Sequence, residues 1–174
     1  MKTITISLLL CVGCAHTTLS HIKNDSLIPT KIINETYTDA VDIFSNYTKC
    51  PVPSSPDFTV RDDTIKSLNY GRNGFYIVDG KILIGIIMGE YKPGSNSIYI
   101  AIEHPDQQRL LFHEMIHYLF HRLYDFSCPS YSFIYDTNVD EEHKSVRAME
   151  DIYFIRTARK PLTGDWLYLL LKGE

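Results

Sequence analysis

The sequence predicts an α+β domain in which a small, mainly antiparallel sheet packs against helices. Asp79-Gly80, a strong signal for a tight turn, separates two stretches rich in β-branched and aromatic residues, Gly74–Val78 and Lys81–Met88. Elsewhere, apolar residues recur at helical spacing over 31–47, 105–124 and 139–157. The length of 174 residues, 44% hydrophobic and 22% charged, is enough for one core and little else.

The N-terminal residues read as an export signal. Lys2 precedes a short apolar run, Ile4–Val12. A spanning helix needs roughly 20 apolar residues, so this run has the proportions of a signal peptide instead. It ends in Cys11-Val12-Gly13-Cys14, which resembles the bacterial lipobox. Residues 1–13 are therefore expected to be a signal peptide, Cys14 the lipidated residue, and 14–30 a flexible polar tether ending near Pro29. The folded domain is then 31–174. With Cys11 removed and Cys14 acylated, Cys50 and Cys128 remain, and in an exported chain they are expected to pair as a disulfide.

Within the domain, Ile33, Tyr37, Ala40 or Val41, Phe44 and Tyr47 mark the inner face of a first helix. Three prolines between Cys50 and Pro56 end it. The hairpin around Asp79-Gly80 follows, then a Gly/Pro-containing loop over 89–96 and a third strand, Ser97–Ile102. Pro105 suits the first position of a helix and Asp106 its first turn. That helix should reach Tyr124, with Phe112, Met115, Ile116, Leu119 and Leu123 on one apolar stripe. A further helix over 139–157 has Val139, Val146, Met149 and Tyr153 inward, with Glu142 on the same line. Trp166–Leu171 suits a short terminal helix. A net charge of −4 with scattered Lys and Arg excludes a nucleic-acid surface.

One motif carries chemistry. His113-Glu114-Met115-Ile116-His117 sits mid-helix, away from the centre of the apolar stripe. Residues four apart on a helix stack about 6 Å along the axis, so both imidazoles can reach one ion. Glu114, beside the first of them, is placed to take a proton from a water on that ion and pass it to a leaving amine. His121 continues the series, but lies about 12 Å from His113 along a straight helix, too far to share the ion.

Over Ser97–Ile155 the chain resembles the zincin metallopeptidases, and among them the gluzincin type, in which a glutamate on a following helix completes the site. The metzincin pattern has glycine at position 120 and histidine at 123, where this chain has Phe120 and Leu123. The resemblance implies a third ligand in Asp140-Glu141-Glu142-His143. Glu142 is favoured, because Ser145 lies three residues on and Val146 and Met149 share its face; Glu141 is the alternative. Asp136 or Asp140 could orient a ligand histidine, and Tyr131, Tyr135 or His143 could donate to an oxyanion. The expected activity is hydrolysis of peptide bonds with one zinc ion per chain. Protein or peptide would be the substrate, pairing with the Ser97–Ile102 strand, and a lipid the link to the membrane. The competing expectation is a non-catalytic lipoprotein whose zinc serves folding or a partner. A closed structural site has no use for Glu114, however.

Overall fold

Phe58 and Val60 on one strand and Tyr91 on another alternate with less buried neighbours, and Ile98 and Ile100, on either side of half-buried Tyr99, are buried with them. Period-two burial of this kind makes one face of a sheet the floor of a core. The computed structural model describes residues 21–52, 56–70, 75–78, 81–84, 87–126 and 139–158. In it, β1 (Ile22–Asp25), β2 (Phe58–Asp63), β5 (Gly89–Lys92) and β6 (Ser97–Ala101) form a four-stranded sheet ordered β1-β2-β6-β5. The β1–β2 and β2–β6 pairs are parallel and the β5–β6 pair is antiparallel. β3 (Phe75–Val78) and β4 (Lys81–Ile84) make a separate antiparallel hairpin, with Val78 opposite Lys81 as the Asp79-Gly80 signal predicts.

Parallel neighbours need a crossover, and α1 (Thr30–Thr48) supplies it between β1 and β2. Ile33, Tyr37, Ala40, Ile43 and Phe44 of α1 are buried. Its end is set by Lys49, whose φ of 60° is left-handed and whose N–H donates to the Ser45 carbonyl at 2.9 Å. A short helix, α2 (Ile65–Leu68), follows β2. α3 (Gln107–Phe126) starts where the Asp106 carboxylate accepts the Arg109 N–H at 3.0 Å, satisfying one donor that a helix start leaves open. α4 (Val139–Thr157) has the predicted bounds.

α3 is the central element. It packs on α1, on β5 and β6, and on α4. Leu111, Phe112, Met115, Ile116, Tyr118, Leu119 and Phe120 are consequently all buried, a wider band than one amphipathic stripe. Phe112 stacks on Tyr153 of α4 with ring centroids 4.1 Å apart. Tyr118 meets both Phe58 and Tyr91, and so ties the helix to the sheet. Among the described residues no helix is long and apolar enough to cross a membrane.

Several expectations need correction. The α+β class holds, but the main sheet is mixed, not mainly antiparallel. Ser97–Ala101 is an interior strand, flanked by β2 and β5; the edge beside α3 is β5, in a stretch the sequence reads as loop. Gly89 and Pro93 hide that strand, since both are poor strand formers. Yet Pro93 stands just past its end, and Gly89 is there for space (below). The folded part also begins earlier than 31: β1 lies within the expected tether, and Ile28 belongs to the core. Cys50 is buried and disulfide-bonded, while Cys128 lies outside the described residues, as do Cys14 and the expected terminal helix Trp166–Leu171.

Candidate metal centre

His113 and His117 stand one turn apart on the side of α3 that faces α4. Their Nε2 atoms are 3.1 Å apart. His143, from the first turns of α4, closes the group: one ring nitrogen from each histidine can be chosen so that all three lie within 4.8 Å of one another. Its ring centroid is 4.8 Å from that of His117 and 5.9 Å from that of His113.

The far side of each α3 imidazole is held by a carboxylate. Glu142 Oε1 is 2.5 Å from His117 Nδ1, and Glu150 Oε1 is 3.2 Å from His113 Nδ1. Nδ1–H donation to a carboxylate fixes the tautomer and leaves the Nε2 lone pair free. Two such lone pairs at 3.1 Å repel unless a cation or a proton lies between them. Two nitrogens bound tetrahedrally to one zinc, at about 2.1 Å each, would be about 3.4 Å apart. The donor set therefore fits a zinc-sized ion. Burial works against a charged His113, but the Glu150 hydrogen bond and the charges of Glu114 and Glu150 outweigh it and raise its pKa. Burial likewise opposes ionisation of Glu150, yet His113 and Arg109 hold its carboxyl below the ordinary range. Arg109 Nε lies 3.5 Å from the same Glu150 oxygen.

Glu114 points elsewhere. It is buried, and its Oε2 accepts the Tyr91 N–H of β5 at 2.8 Å. Met88 and Ala101 bond across the β5–β6 ladder, so by alternation the N–H groups of Gly89 and Tyr91 face away from β6. Glu114 thus reaches the edge that β5 forms among the described strands.

The structure brings together His113, His117 and His143, with Glu142 behind His117 and not among the clustered nitrogens. His121 is separate, with Nδ1 3.3 Å from the Tyr91 hydroxyl. Tyr131, Tyr135 and Asp136 lie outside the described residues, and nothing is described of the side chains of Asp140 and Glu141. Sequence reasoning missed Glu150 altogether, and it favoured Glu142 within the run Asp140-Glu141-Glu142-His143 while giving His143 a second possible role as an oxyanion donor. A signal was present: His143, Val146 and Glu150 recur at helical spacing on the face that also carries Met149. No protein-family model matches the chain, and neither does any curated protein or solved structure.

Proposed function

We propose that the chain is a zinc-dependent metallopeptidase of the zincin kind, with His113, His117 and His143 as the residues that hold the ion. The supporting observation is the pair of Nε2 atoms 3.1 Å apart, each ring backed by its own carboxylate, with Glu114 next along the helix. His143 takes the role expected of Glu142, and Glu142 becomes an orienting partner. Three neutral imidazoles leave a dication uncompensated, and carboxylates on two of the Nδ1 atoms supply the missing negative charge.

A bound zinc ion would supply Lewis acidity toward a carbonyl and a lowered pKa for water. The rest falls to the chain. Glu142 and Glu150 keep His117 and His113 in the Nδ1–H tautomer. Glu114 accepts a proton from the attacking water and returns it to the departing amine. Among the described residues the edge strand is β5, not β6, so an extended peptide would add alongside β5, clear of the Tyr91 N–H that Glu114 holds. The same proposal keeps Cys14 as a lipid anchor that holds the domain at a membrane after export. Elemental analysis of the purified domain should find about one zinc per chain, lost to chelators. A chain that binds no zinc after reconstitution would overturn the enzyme reading.

A further inference from the structure

At Gly89 the sheet comes close to the motif helix. A Cβ built there would stand 2.8 Å from Glu114 Oε1, 3.0 Å from its Cγ and 3.2 Å from its Cδ. The cause is in the register. Gly89 pairs with Ile100 and Tyr91 with Ile98, so all four positions face the buried side on which α3 lies. Glu114 fills the space that a side chain at position 89 would take. Two residues further along the strand, it receives the Tyr91 N–H. Carbon on one side and a hydrogen bond on the other leave the carboxylate little freedom.

We propose that Gly89 and the Tyr91 amide form a cradle that positions the Glu114 carboxylate, which makes Gly89 a positioning residue for the proton transfer. This rests on the reading of Glu114 as the general base, but the cradle can be tested without it. The Tyr91 amide is the natural gauge, because an N–H that loses its acceptor exchanges faster with solvent. Gly89→Ala gives Glu114 two choices. It can swing off the edge and release the amide, or it can stay and push the strand away. Either way the carboxylate and the strand lose their present relation. Gly has no other duty here, since its backbone is that of an ordinary strand residue.

The first measurement is amide hydrogen exchange on the zinc-free protein. Tyr91 N–H should be protected in the parent and exchange about tenfold faster or more in Glu114→Ala, the worth of one hydrogen bond. Gly89→Ala should move it the same way. The second is steady-state hydrolysis of a peptide mixture by the zinc-loaded protein. Gly89→Ala should lower kcat by about 10- to 100-fold, with KM and zinc content nearly unchanged, as expected when a general base is displaced by an ångström or so. The loss should be much smaller when Gly89→Ala is introduced into Glu114→Asp, whose shorter side chain clears the new methyl group. Should Gly89→Ala fail to fold, Gly89→Ala combined with Glu114→Ala should restore folding; failure of both would mean the clash lies elsewhere and overturn the cradle. Unchanged Tyr91 exchange in Gly89→Ala overturns it as well. Altered exchange in a parent that hydrolyses no peptide leaves the cradle standing and removes the peptidase reading.

Discussion

Glu114, Glu142 and Glu150 are three carboxylates on two helices with different neighbours, and substitution separates their work. Glu114 touches an edge amide and no ring nitrogen in the cluster, so Glu114→Gln should retain zinc while hydrolysis falls by about 10²–10⁴. Zinc titration run beside a peptide assay checks it, and undiminished hydrolysis would remove Glu114 from the mechanism. His143→Ala should abolish tight zinc binding. Glu142→Ala and Glu150→Ala should each weaken it by about 10- to 100-fold, the usual cost of losing a partner to a ligand imidazole. If Glu142→Ala proves as damaging as His143→Ala in competition with a chelating dye, the glutamate is a ligand after all. At this scale the HExxH residues were legible because i, i+4 spacing alone brings two imidazoles together. The third partner was not: choosing between Glu142 and His143 needs the rotation of α4 about its axis, which adjacent residues on one helix do not reveal. Glu150 was hidden for a different reason, since a carboxylate amid an apolar face reads as a surface residue until its partners, His113 and Arg109, are seen.

Helices were easier to read than strands. α1, α3 and α4 each carry enough turns for a 3.6-residue period to stand out, and their bounds fall within two residues of those expected. β2 and β5 are short, carry charge, and in β5 begin with glycine, so neither shows a clean alternation. Two element-scale outcomes follow from the packing. Lys49 ends α1 with a left-handed φ of 60°, a conformation that costs a residue with a Cβ about 1 kcal/mol. Lys49→Gly should therefore raise the urea midpoint at an unchanged slope. Phe112, buried against Tyr153, joins α3 to α4, and Phe112→Ala should cost about 3–5 kcal/mol of stability in the same assay. Because that contact also sets the spacing between the helices that carry His113 and His143, zinc affinity should fall with it.

For the molecule as a whole, acid is a specific threat at His104. The ring is buried, its Nδ1 accepts the Asp106 N–H at 3.0 Å at the start of α3, and burial holds its pKa below the ordinary 6.5. The unfolded chain thus takes up a proton that the folded chain refuses. Stability is full above the ordinary value and is lost as pH falls through the lower folded one. Denaturation followed from pH 7.5 downward should show a shallower decline in His104→Gln than in the parent; parallel curves would remove His104 as the cause. The same scale explains why the sheet order was illegible: which strands neighbour each other depends on contacts between distant segments, and no local pattern records them. That topology has a kinetic side. The pairs Ile22–Phe58 and Thr59–Ser97 join residues far apart along the chain, and β6 lies at the middle of the sheet although it is the last of the described strands in chain order. Until β6 has emerged, β2 has no partner on its inner side and α1 has no finished floor to cover, so the early half of the chain has little to fold onto. Non-local pairing of this kind is slow to form. The sheet therefore closes only once the chain has been made as far as Ala101, and the earlier strands wait for it.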